Sequence, residues 1–133
     1  MALLIDSLSE ESAMPRLNLV VIRARNAARL AEFYTVLGLS FALHRHGTGP
    51  EHFSAENESG VFEIYPVKGD EEPTRNLRLG FEVKGVKATV SDLVKAGAKM
   101  VQSPMDSPWG LRAVIQDLEG HKVEITEARD PLT

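Results

Sequence analysis

Two glutamates stand alone inside apolar runs, Glu63 in Val61-Phe62-Glu63-Ile64-Tyr65 and Glu124 in Lys122-Val123-Glu124-Ile125-Thr126. A carboxylate among apolar neighbours is costly unless it is paired. Acids in such places serve as general bases or as oxygen ligands to a divalent ion, so Glu63 and Glu124 are the candidate catalytic residues. Three histidines, His44, His46 and His52, crowd into one short stretch, and clustered imidazoles bind metals. The simpler reading leaves two of them in solvent beside the turn Gly47-Thr48-Gly49. Trp109, between Pro108 and Gly110, is suited to be a lid or stacking wall for a flat ligand, or a plug at a rim. Arg112 either reaches an anionic ligand or is a solvated strand residue. The sequence holds no Ser-His-Asp order, no phosphate-cradling glycine loop and no dinucleotide fingerprint. Gly47-Thr48-Gly49 is too short for one and lacks the following helix.

The elements that must position these residues come in two copies. Leu17 to Ala24 alternates like a strand, with Val20, Ile22 and Ala24 on one face and Leu19, Val21 and Arg23 on the other. Asn26 is a good N-cap for a helix whose apolar residues recur to Leu37, with Gly38 as the C-terminal stop. Strands are expected from Ser40 to His46, Glu51 to Glu56 and Val61 to Pro66. The second copy repeats the order. A strand runs from Leu77 to Val83, a helix from Val86 to Ala96 with Gly97 as its stop, and a short strand from Lys99 to Gln102. Ser103 to Trp109, with two prolines, is expected to be a loop. Strands Leu111 to Gln116 and Lys122 to Glu127 then flank a tight turn at Asp117–Gly120. Leu19 and Arg78 occupy equivalent places, as do Gly38 and Gly97, and so do the two glutamates. The pattern divides as an extension at 1–14, modules at 15–67 and 76–127, a connector at 68–75 and a tail at 128–133, all within one structural domain.

Composition bounds the rest. At 133 residues, with 43% hydrophobic residues and none of them cysteine, the chain can bury a core but cannot form disulfides or thiolate metal sites. A net charge of -4 without any basic run speaks against nucleic acid. No stretch is long and apolar enough for a bilayer, so no membrane partner is expected. The leading Leu3-Leu4-Ile5 is too short and acid-flanked for a signal peptide. A cytoplasmic protein is the expectation.

Tandem β-α-β-β-β modules with these residues resemble the vicinal oxygen chelate superfamily, which includes glyoxalase I, extradiol dioxygenases and bleomycin-resistance proteins. The likeness rests on Phe33-Tyr34 with Leu37-Gly38-Leu39, Phe62-Glu63-Ile64, Leu79-Gly80-Phe81-Glu82-Val83, Trp109-Gly110 and Asp117-Leu118-Glu119-Gly120-His121 before Val123-Glu124-Ile125. The resemblance implies an α+β fold in which the two modules form a cupped mixed sheet around a cavity, with helices outside. Strand parity then turns Glu63 and Glu124 onto a shared interior. Tyr65 is placed there as a hydrogen-bonding wall and His52 on a central strand near the cavity. Phe33 and Tyr34 are read as helix core, and His121 as a turn residue facing away from Glu124.

Metal-dependent members resembling this chain use one residue from each module's first strand and a glutamate from each last strand. Glu63 and Glu124 match. The other two places hold Leu19, which has no lone pair, and Arg78, a permanent cation. Arg78 is instead suited to pair with Glu63, Glu124 or both. The expectation is a small-molecule-binding protein without the family metal centre, its ligand contacts drawn from His52, Glu63, Tyr65, Arg78, Trp109, Arg112 and Glu124. Cavity acids point to a cationic ligand, and the resemblance to a homodimer. No cofactor is expected. One alternative is a divalent-metal lyase, isomerase or dioxygenase. Another is a metal-free enzyme with a glutamate base beside Arg78.

Overall fold

A computed structural model describes residues 14–127 of the chain. Apart from Met14, the expected extension and tail lie outside the described residues. The element order is β1(Leu19–Ala24), α1(Ala27–Leu37), β2(Ala42–His44), β3(His52–Asn57), β4(Gly60–Pro66), β5(Arg78–Val83), α2(Val86–Lys95), β6(Lys99–Ser107), β7(Gly110–Gln116) and β8(Lys122–Glu127). These are the two expected β-α-β-β-β modules, in an α+β fold.

Each module builds one four-stranded mixed sheet, β1-β4-β3-β2 and β5-β8-β7-β6. The first strand of each module runs parallel to its last, pairing Val21 with Glu63 and Gly80 with Glu124. Those pairs confirm that the two acids are equivalent by position. One face of each sheet packs on the helices. Ile22, Ala24 and Ile64 from the first sheet, with Ala113, Ile115, Val123 and Ile125 from the second, are buried with Leu30, Phe33, Tyr34, Val86, Val90 and Leu93 of the helices. Fully burying each large apolar side chain gains roughly 1.5–3 kcal/mol, so this core fixes which face of each strand looks outward. The two helices pack on each other, whereas no strand of one sheet joins a strand of the other among the described residues.

Local signals explain the ends of the elements. Asn26 caps α1 through its side chain, which accepts from the Arg29 N–H at 3.1 Å. Gly38 ends it at φ 126°, a conformation glycine adopts without penalty. Gly60 opens β4 at φ 140°, and a Cβ there would lie 2.5 Å from the Asn18 carbonyl oxygen. That close approach lets Val61 N–H donate to the same oxygen at 2.8 Å and start the β1–β4 ladder.

One expected element is corrected. The stretch Ser103 to Trp109 was expected to be a loop, yet β6 continues through Pro104 to Ser107. β6 is an edge strand, where a missing N–H can face away from the sheet. Its register against β7 shifts between Met100 and Gln102 and again between Gln102 and Met105, and such irregularities absorb the proline. The strand Ser40–His46 shortens to Ala42–His44, the turn at Gly47–Thr48 beginning soon after.

Candidate functional site

The outward faces carry the residues with chemistry. In the first sheet Leu19, Val21 and Arg23 of β1 lie beside Val61, Glu63 and Tyr65 of β4, as parity requires. In the second, Arg78, Gly80 and Glu82 of β5 lie beside Lys122, Glu124 and Thr126 of β8. β7 adds Arg112 and Val114, which pair with Thr126 and Glu124. Leu19 and Val21 on these faces stay open to solvent, 49% and 40% exposed, whereas Val114 is buried. A cleft of about 1170 Å³ passes between the edge strands β1 and β5, lined by Leu19, Val61, Phe62, Gly80, Phe81 and Glu82 among others. The two acids sit on the neighbouring strands β4 and β8 and do not line it.

Each acid has its own partners. Glu124 Oε1 accepts from Arg112 Nε at 2.7 Å and from Arg112 Nη2, with Arg78 Nη2 3.4 Å away. The pairing follows from register. Gly80 and Val114 flank Glu124 on either side, so Arg78 and Arg112 are its diagonal neighbours on the same face. The hydrogen bonds from Arg112 hold the Glu124 carboxyl below its usual range against a modest burial penalty, with a smaller contribution from Arg78. For Arg112 the sequence offers a ligand contact or a solvated strand residue. The side chain is half-buried and is the principal partner of Glu124. Aligning β7 with β8 across the Asp117–Gly120 turn would have shown this.

Glu63 belongs to a different cluster. Its Oε2 lies 3.4 Å from His52 Nε2, within ion-pair range but outside hydrogen-bond geometry. The His52 ring is stacked on Tyr65, centroids 4.1 Å apart and planes 5° from parallel. The Arg23 guanidinium sits 5.2 Å from the Tyr65 ring centre, close enough for cation–π attraction. Among the described residues, no hydrogen bond or ion pair joins this cluster to Arg78 or Glu124, so Arg78 serves Glu124 alone. Trp109 is 68% exposed at the tip of the β6–β7 hairpin, where it plugs nothing.

A third cluster was not foreseen. Tyr34 Oη donates to Asp117 Oδ2 at 2.6 Å, and His121 Nδ1 lies 2.8 Å from the same oxygen. His121 Nε2 lies 2.8 Å from the Thr74 carbonyl. Both ring nitrogens therefore face acceptors, which suits an imidazolium. The hydrogen bond to Asp117 raises the His121 pKa, although burial opposes it. Burial alone would raise Asp117, yet the hydrogen bonds from His121 and Tyr34 carry it below the usual carboxylate range. Burial, then the Asp117 charge and hydrogen bond, push the Tyr34 hydroxyl far up. The cluster is buried and ties α1 of the first module to the β7–β8 turn of the second. It is structural in position, and no signal in the turn itself revealed it.

A divalent ion at the four family positions would meet a poor donor set. Leu19 offers nothing, Arg78 is a cation, and Glu124 is already bound by guanidinium groups. The residues do not fit that centre.

A family model for a glyoxalase-like domain matches residues 19–126. No curated protein matches the chain by sequence. Among solved structures, a glyoxalase/bleomycin resistance protein/dioxygenase family enzyme from Burkholderia phytofirmans superposes with a TM-score of 0.67 at 18% identity, covering 86% of this chain and 100% of that one. A glyoxalase-related enzyme from Fulvimarina pelagi gives 0.69 at 19% identity, covering 86% and 89%. An antibiotic binding protein from Streptomyces gives 0.67 at 18% identity, covering 88% and 98%. The matched span takes in both modules, and the chain belongs to the glyoxalase-like domain family of the vicinal oxygen chelate superfamily.

Proposed function

We propose that this chain is a cytoplasmic, homodimeric protein that binds a small molecule and works without the metal centre of its metal-dependent relatives. The observation that carries the proposal is the state of Glu124, a carboxylate already hydrogen-bonded to Arg112 and approached by Arg78. A paired acid in a metal-ligand position is a binding-site wall rather than a ligand. The likeness to an antibiotic binding protein supports the same reading. Solvent-open Leu19, Val21 and Met105 on the outward faces support a second copy that completes the cup. The cysteine-free composition suits a reducing compartment.

The charge balance favours a different ligand from the one the acids alone suggested. Two guanidiniums face one carboxylate in the second module. A ligand with a flat apolar body and a carboxylate or carbonyl oxygen suits that face better than a cation does. For turnover of a bound compound, Glu63 is the better base, since among the described residues no guanidinium engages it, whereas Glu124 is held ionised by Arg112.

Calorimetric titration with aromatic, carboxylate-bearing antibiotics is expected to show saturable binding, without consumption of the compound, in a protein that sediments as a dimer. A stoichiometric divalent ion that is lost in Glu124→Ala would overturn the metal-free reading. Turnover that fails in Glu63→Gln would replace binding with catalysis.

A further inference from the structure

We propose that His44, His46 and His52 form a transition-metal site at the end of the β2–β3 hairpin, with Glu63 the one family position beside it. It takes a borderline divalent ion such as Zn(II), Ni(II) or Cu(II). One ring nitrogen of each histidine lies within 4.8 Å of one from each of the others. The hairpin brings this about. His44 pairs directly with His52 across the β2–β3 ladder, and His46 follows two residues on, held by a turn in which Gly49 N–H donates to its carbonyl at 3.0 Å. Ring centres are 5.3 Å apart for His46 and His52, 5.9 Å for His44 and His52, and 6.1 Å for His44 and His46.

His52 supplies a second, independent observation. It is only 1% exposed, and among the described residues its Nε2 is buried without a hydrogen-bond partner. Buried polar atoms in folded proteins are nearly all satisfied, and exceptions call for an ion or another explanation. Nδ1 faces the Pro50 carbonyl at 3.4 Å. That acceptor favours the proton on Nδ1 and leaves the lone pair on Nε2, the arrangement in which a carbonyl fixes the tautomer of a ligating histidine. Glu63 Oε2, another acceptor, lies 3.4 Å from Nε2. Two opposed lone pairs gain from a cation beside them, and a divalent ion supplies it.

The chemistry of the donor set selects the ion. Imidazoles suit zinc, copper and nickel, whereas calcium and magnesium require oxygen ligands. Tetrahedral coordination with bonds of about 2.0–2.1 Å places ligand nitrogens about 3.3 Å apart. His44 and His46 are both exposed, which leaves their side chains room to rotate toward an ion. His52 is the fixed ligand, locked by its stack on Tyr65. Arg45, between the two mobile ligands, is paired with Glu51 at 2.8 Å, so its charge is offset. Three imidazoles leave a coordination position open, with the Glu63 carboxylate beside it.

The test uses untagged protein, stripped with chelator and titrated with zinc chloride or cobalt chloride by calorimetry and visible absorption. One ion per chain is expected, with a tetrahedral cobalt spectrum. His44→Ala and His46→Ala should each weaken binding at least about tenfold, the lower bound for losing even an outer contact to a ligand. Because both residues are exposed, the metal-free thermal midpoint of these variants should match the parent, which keeps the test valid whether or not His52→Ala folds. Glu63→Gln should also weaken binding. Undetectable binding, full binding by the His44→Ala/His46→Ala double variant, or loss of the ion in Glu124→Gln with retention in His44→Ala would each overturn the assignment.

Discussion

Replacing Tyr34 by Phe removes one hydroxyl and leaves the ring, which packs edge-on against Phe33 and Phe62 at 5.2 and 5.4 Å. The loss falls on Asp117, whose side chain is wholly buried and accepts the 2.6 Å hydrogen bond. A hydrogen bond to a charged group contributes about 1.5–3 kcal/mol, and a buried acceptor left short of a donor puts the cost in the upper part of that range. Tyr34→Phe is therefore expected to lower stability by about 2–3 kcal/mol, or about 8–12 °C in melting temperature for a chain of this size. Urea denaturation followed by circular dichroism measures it. The double-mutant cycle with Asp117→Asn should show a coupling of about 1–3 kcal/mol. The pH dependence has a definite sign. Asp117 is lowered on folding, so its contribution is present above the unfolded value of 3.8 and is lost as pH falls through the folded value. His121 is raised, so its contribution is complete below the unfolded value of 6.5 and is lost as pH rises through the folded value. The margin of wild type over Asp117→Asn should peak between those two values. A Tyr34→Phe change under about 0.5 kcal/mol, the level of an ordinary surface substitution, would refute the reasoning, as would strict additivity in the cycle.

Gly60→Ala meets both a φ of 140° and the Asn18 carbonyl 2.5 Å from the new Cβ. It should cost about 2 kcal/mol or more in denaturant midpoint, with the β1–β4 amides losing protection from hydrogen exchange first. Arg112→Met removes the main cause of the depressed Glu124 pKa, so a carboxyl-carbon NMR titration should show Glu124 rising toward the usual range. Arg78→Met, at the longer contact, should move it less.

The frame was legible because its signals are local. Alternation in β1 and β5, glycine stops after both helices and matched acids on β4 and β8 all lie within windows of a few residues. Parity turned Glu63 and Glu124 away from the helices, but in place of the expected shared interior they stand in two separate clusters. β6 was misread because Pro104 and Pro108 carry the signature of a loop, and only the sheet order reveals that the strand is an edge. The partners of the acids were partly hidden for a related reason. Arg112 meets Glu124 through hairpin register, and Glu63 meets His52 across the β3–β4 pair. The Tyr34–Asp117–His121 cluster was illegible, since Tyr34 and Asp117 are 83 residues apart in sequence. Nothing in a helix-core tyrosine or a turn aspartate announces that they meet.

Among the described residues the two sheets share no ladder, so the angle between the modules rests on side-chain packing, of the helix pair and of Phe81 on Tyr34 and Phe62, and on a few polar side chains, among them the Glu119 carboxylate. That group accepts from the Arg25 and Asn26 N–H groups at 2.8 and 3.2 Å. A ladder allows only stepwise slips, whereas a side-chain joint can be reset in small increments. The width of the cleft between β1 and β5 can thus drift by substitution at the joint while both sheets keep their registers. A duplicated scaffold built this way can be refitted to ligands of different size without refolding either half.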